Sequence, residues 1–143
     1  MNEFLSHSPA ETLAFARSFG SQLPLNSVVC LFGDLAAGKT TFIKGVLQGA
    51  AKMDAAEVQS PTFTYLHVYN GPPPIYHFDL YRLRDIDEFL SMGFDEYFEA
   101  DGICCIEWAE RLSSYLPVGC IQVFIEHRGE DQRLIKIVQE NHD

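Results

Sequence analysis

Gly33, Asp34, Leu35, Ala36, Ala37, Gly38, Lys39 and Thr40 match G-x-x-x-x-G-K-[ST] at every required position. The spacing is that of a turn that wraps a phosphate, because successive backbone N–H groups must aim inward at the positive end of the helix that follows. Lys39 then reaches the outer phosphates as a point charge, and Thr40 supplies a hydroxyl to Mg²⁺. Such a site needs a further acid beside the metal, usually where an apolar strand ends. Two candidates are present. Ile75, Tyr76, His77 and Phe78 lead into Asp79, and Ile103, Cys104, Cys105 and Ile106 lead into Glu107. Either carboxylate lies at the carboxyl edge of a parallel sheet if its strand neighbours residues 27–32, which is where α/β folds bind ligands.

The elements that must hold these residues are readable from the pattern. Ser8, Pro9 and Glu11 read as an N-cap, a first-turn proline and the returning acid of a capping box, so a helix is expected over residues 9–22. Residues 27–32 form a short, nearly continuous apolar run, the mark of a strand covered on both faces. Phe42, Val46 and Leu47 recur at helical spacing within residues 39–51, so the glycine turn sits between strand and helix. Residues 63–69 and 75–81 predict two neighbouring strands joined by the stiff turn at Asn70, Gly71 and the prolines that follow. A short helix is expected over residues 85–92, with another turn through Tyr97. The apolar run 103–106 precedes helix-forming residues up to Leu112. Residues 120–127 and 133–138, separated by Gly129, predict a closing hairpin. The order indicates an α/β fold of the P-loop NTPase type: three layers around a mainly parallel sheet with added antiparallel hairpins, formed by residues 1–143 as one domain.

Composition narrows the function. The chain has 143 residues, 47% of them apolar, and a formal charge of −10. That charge repels polyanions, so nucleic acid is expected to be held by a partner rather than by this chain. No apolar run approaches the length of a membrane span, and residues 1–8 lack the basic start and apolar stretch of a signal peptide, so a cytoplasmic address is expected. Cys30, Cys104, Cys105 and Cys120 have no C-x-x-C spacing, and His67, His77 and His127 have no metal-ligand spacing. They read as packed or exposed side chains. Nine Asp or Glu and no Lys or Arg fall within residues 85–110, a solvated face whose charge would attract a basic partner. The Asp-x-x-Gly of GTP switch proteins is absent, and so is any Gly-x-Gly of a dinucleotide fold.

Four blocks in order, residues 33–42 (Gly-Asp-Leu-Ala-Ala-Gly-Lys-Thr-Thr-Phe), Ser60-Pro61-Thr62-Phe63, His77-Phe78-Asp79-Leu80-Tyr81-Arg82-Leu83 and Ile106-Glu107-Trp108, resemble the TsaE (YjeE) family. The resemblance implies a small bacterial ATPase required for threonylcarbamoyladenosine formation on tRNA. It would use ATP and Mg²⁺, work with TsaD and TsaB homologues, and meet tRNA only through them. It also implies residue roles. Leu35, Ala36, Ala37, Gly38, Lys39, Thr40 and Thr41 would hold the nucleotide, and Thr40 and Glu107 would contact Mg²⁺. Asp79 would lie on the metal or attacking-water side, and Thr62 would sense the γ-phosphate. Trp108 would sit beside the site, at a partner surface or in the interior. The chain departs from the family pattern at Ala36, where Gly is usual, and at Ala109, where Pro often follows Glu-Trp. Arg128 or Arg133 could approach the nucleotide.

Two other functions fit the phosphate motif. One is a small-molecule kinase in which Arg82 and Arg84 neutralise the transferred phosphoryl group. The other is a nucleotide-dependent adaptor in which hydrolysis is incidental.

Overall fold

The computed structural model describes residues 2–33, 38–52 and 65–139. Its elements are β1 (Asn2–Ser6), α1 (Pro9–Ser21), β2 (Val28–Phe32), α2 (Lys39–Ala51), β3 (Leu66–Tyr69), β4 (Ile75–Asp79), α3 (Ile86–Ser91), β5 (Ile103–Glu107), β6 (Ile121–His127) and β7 (Arg133–Gln139). Two 3₁₀ helices, Phe94–Glu99 and Ala109–Tyr115, flank β5 in sequence.

Among the described residues the strands form one sheet in the order β1-β7-β6-β2-β5-β4-β3. The four central strands, β6, β2, β5 and β4, run parallel, while β3, β7 and β1 add on antiparallel. The apolar runs behave as both-face-buried strands should: every residue of β5 is buried, as are Val28 to Leu31 of β2. Alternate side chains feed two cores. Val29, Leu31, Ile75, Ile103 and Cys105 meet α1 and α2 on one face, whereas Cys30, Tyr76, Phe78, Cys104 and Ile106 meet α3 and the 3₁₀ helices on the other. This is the expected three-layer α/β architecture.

α1 and α2 pack closely because small residues face one another. A Cβ on Gly45 of α2 would lie 2.5 Å from Ala16 Cβ and 2.7 Å from Leu13 O on α1, and one on Gly20 would lie 2.7 Å from Val46 O. Phe42 is fully buried and meets the rings of Phe15 and Phe19. The helix that follows the glycine turn is therefore locked against its neighbour one turn beyond Lys39.

Three details differ from the sequence expectation. β1 had no expected element; it pairs with β7, placing Phe4 opposite Ile135, and Phe4 stacks on Phe15 at 4.5 Å. β4 ends at Asp79, two residues short of Tyr81, because Asp79 Oδ1 accepts the Tyr81 N–H at 3.0 Å and turns the chain. The segment after β5 is 3₁₀ and runs to Tyr115 rather than stopping at Leu112. Residues 63 and 64 of the expected first hairpin strand lie outside the described residues, and its remainder pairs with β4 as expected. No helix among the described residues is long and apolar enough to cross a membrane.

Candidate nucleotide and metal site

β2 runs into the glycine turn and α2 starts directly after it, so the motif occupies the strand-to-helix junction its chemistry requires. Gly38 is the N-cap with φ 100°, a left-handed conformation that an L side chain adopts at a cost. Among the described residues a Cβ there would meet only Arg133 Nε at 3.9 Å, so it is the backbone conformation that favours this glycine. Among the described residues no side chain caps α2, and its first turn carries no acid. Its N-terminal N–H groups thus keep their positive end for an external anion.

Lys39 is 4% exposed, and its Nζ lies 4.6 Å from the centroid of the Trp108 ring. An ammonium this buried is held by the electron-rich indole face. Trp108 in turn packs on Tyr81 at 4.9 Å and adopts φ 60°, unusual for a bulky residue. Strain of this kind persists where neighbours over-determine the conformation, and it concentrates at functional sites. Of the three placements open to Trp108, the structure takes the one beside the site.

The two acids come together. Parallel pairing of β4 with β5 sets Asp79 opposite Glu107, and pairing of β5 with β2 sets Glu107 opposite Leu31. Glu107 therefore stands on the strand adjacent to β2, and Asp79 one strand further out. Both are at the carboxyl ends of parallel strands, on the sheet face that α2 covers. Glu107 is 6% exposed and accepts a 2.8 Å hydrogen bond from His77 Nε2. Burial pushes the Asp79 carboxyl above the usual aspartate range; the Tyr81 N–H opposes the shift and the Glu107 charge adds to it.

This donor set suits a hard divalent cation. Two carboxylates sit in register, and a cation between them would offset both the burial that chiefly raises Asp79 and the Glu107 charge that adds to it. Thr40 stands in the first turn of α2 with a hydroxyl to add. Among the described residues no three or more His, Cys, Asp and Glu side chains gather into a self-sufficient cage. A Mg²⁺ that takes its remaining ligands from phosphate and water needs none.

Leu35, Ala36, Ala37 and Thr62 lie outside the described residues. Thr41 lines a small recess with Pro9, Thr12, Gly38, Asp131 and Arg133. Of the two arginines weighed for an approach to the nucleotide, Arg133 is the one that borders Gly38, whereas Arg128 pairs with Glu126 at 2.9 Å. Arg84, largely exposed, donates to Glu88 at 3.3 Å at the start of α3. The acid-rich stretch divides: Glu107 enters the site, Asp85 caps α3, and Asp95, Glu96 and Glu99 are exposed. His77 is the residue that the spacing argument passed over. It is fully buried and donates to Glu107, and its signal was its place two residues before Asp79 in a buried strand. A hollow of about 510 Å³ lies at the opposite end of the parallel strands, lined by Ser27, Phe98, Glu99, Val118 and Cys120 among others, and Lys39, Thr40, Asp79 and Glu107 are not in its lining.

A family model described as "Threonylcarbamoyl adenosine biosynthesis protein TsaE" matches residues 6–135. The chain is 42% identical over 129 residues to the tRNA threonylcarbamoyladenosine biosynthesis protein TsaE of Bacillus subtilis, covering 90% of this chain and 79% of that protein. It is 38% identical over 133 residues to the protein of the same description from Treponema pallidum, covering 93% and 97%. Among solved structures it resembles the crystal structure of Bacillus subtilis YdiB, with a TM-score of 0.76 and 35% identity, over 94% of this chain and 82% of that one.

Proposed function

The chain belongs to the TsaE family of tRNA threonylcarbamoyladenosine biosynthesis proteins, and from that premise we propose that it is the pathway's Mg²⁺-dependent ATPase. It binds and hydrolyses ATP in the cytoplasm and acts with TsaD and TsaB homologues, which carry the tRNA. The observation that supports this reading best is the meeting of three parts at one sheet edge. They are the N-terminus of α2 with Lys39, the register pair Asp79 and Glu107, and the carboxyl end of β2, whose Leu31 pairs with Glu107.

The roles follow from chemistry. The α2 N–H groups and the turn, Leu35 to Gly38, cradle the phosphates, with Thr41 alongside. Lys39 leaves the Trp108 face and neutralises the outer phosphate oxygens. Thr40 and Glu107 hold the metal, whose contribution when bound is to offset charge on the transferring phosphoryl group. Asp79, the more exposed acid, orients the attacking water. Thr62 senses the γ-phosphate.

Reconstitution tests the reading. Purified TsaB and TsaD homologues should modify tRNA through repeated cycles only when this chain and ATP are both present, with phosphate released into solution. Modification that proceeds equally without the chain, or phosphate appearing on a metabolite, would count against it.

A further inference from the structure

The His77–Glu107 contact is the tightest polar arrangement at the site, and none of the roles above uses the imidazole. His77 is fully buried on β4, and its Nε2 lies 2.8 Å from Glu107 Oε2 on β5. A carboxylate can only accept, so Nε2 carries the hydrogen and donates it. Strand register explains how the two meet. His77 pairs with Cys105 and Asp79 with Glu107, so on the shared face the imidazole lies diagonally beneath the Glu107 carboxylate, toward the sheet interior. Glu107 Oε2 is thereby engaged from the core side. The contact engages Oε2 and not Oε1.

A buried carboxylate on a flexible two-carbon stem has several rotamers, and a hydrogen bond from a fixed ring selects one. The ring itself is fixed, because it has no solvent-exposed surface and belongs to a strand paired on both sides. Resting on the reading of Glu107 as a metal ligand, we infer that His77 is the positioning residue for Glu107: its Nε2–H holds Oε2 so that Oε1 is presented to Mg²⁺ at the sheet edge. Groups that orient a metal ligand in this way typically contribute 10–100-fold to metal affinity. Asp79, whose own oxygen is turned to the Tyr81 N–H, receives no such support from His77. The positioning is specific to one acid of the pair.

Two amide substitutions separate positioning from packing. In His77→Gln the side-chain N–H₂ reaches about as far as imidazole Nε2 and can donate to Glu107; in His77→Asn an equally polar group stops short. The measurement is calorimetric ATP affinity with and without Mg²⁺, backed by Mn²⁺ titration monitored by electron paramagnetic resonance in the presence of ADP. The ratio of affinities with and without metal isolates the cation's coupling. His77→Asn should lose that coupling by about tenfold or more while its metal-free affinity, set by Lys39 and the α2 N-terminus, stays near wild type. His77→Gln should keep the coupling within about threefold of wild type, given that second-shell loss costs at least tenfold. Wild-type coupling in His77→Asn, or equal loss in both variants, would overturn the inference. Should His77→Asn fail to fold, His77→Gln still decides the matter, since loss of coupling there contradicts the role. Absence of metal coupling in the wild-type chain would instead overturn the reading of Glu107.

Discussion

Lys39 rests on Trp108: the ammonium nitrogen lies 4.6 Å from the indole centroid, in a pocket that leaves the lysine 4% exposed. The cation assigned to ATP phosphates is thus already desolvated and attached to a residue next to Glu107, at the end of β5. Moving from the indole to a phosphate exchanges one electrostatic partner for a stronger one, with little further loss of hydration. Trp108 and Glu107 adjoin in sequence, so under the proposed function the same strand end would serve the lysine before a nucleotide arrives and a metal afterwards.

Glu107 and Asp79 should fail in different ways. Glu107→Gln removes a direct metal ligand and should weaken Mg²⁺-dependent ATP binding by about tenfold or more. Asp79→Asn removes a water-orienting acid and should slow single-turnover hydrolysis on the order of 10²-fold with binding little changed. Titration calorimetry and rapid-quench assays distinguish these outcomes. Two variants that behave like wild type would return both acids to the role of solvated strand ends.

Gly45 should resist even the smallest addition. A Cβ there would press on Ala16 Cβ at 2.5 Å and on the Leu13 carbonyl at 2.7 Å, and a backbone carbonyl cannot step aside. The Gly45→Ala exchange gains up to about 1 kcal/mol of helix propensity and loses roughly 1–3 kcal/mol to overpacking. The urea midpoint of the variant should fall. A midpoint above wild type would show that α1 and α2 are not held at this distance.

Stability should depend on pH through Glu88. Its carboxylate accepts the Arg84 backbone N–H at 3.0 Å, and this bond, aided by the neighbouring Arg84 guanidinium, holds it below the ordinary glutamate value of 4.5. A depressed folded-state value means that the contribution is complete above the unfolded-state value and is lost as the pH falls through the folded one. Glu88→Gln should therefore melt below wild type at pH 6, and the gap should close as the pH drops through 4.5 and below. Thermal melts across that range give the answer; a gap that widens on acidification would contradict the assignment.

The placement of the candidate site was legible where a short motif carries its own geometry. Residues 33–40 name a strand-to-helix turn, and α2 begins and ends at the expected residues, Lys39 and Ala51. The two apolar runs that end in acids likewise announce β4 and β5. Pairing is a tertiary fact, however, so only the structure puts Glu107 beside β2 and Asp79 one strand away. β1 escaped notice because five residues with two polar ends carry little periodic signal, and their pairing depends on β7 at the far end of the chain. His77 looked like an ordinary core histidine because its partner lies 30 residues away in sequence. Arg133 was only one of two possibilities, since a hairpin's register decides which arginine faces Gly38.

The most direct measurement of the central claim is ATP binding in the presence of Mg²⁺ by the wild-type chain and by Lys39→Ala, with circular dichroism confirming the fold of both. The account predicts that the wild-type chain binds and the folded variant loses about tenfold or more, the value of one charge-assisted contact to phosphate. Equal affinity in a correctly folded Lys39→Ala chain would contradict it.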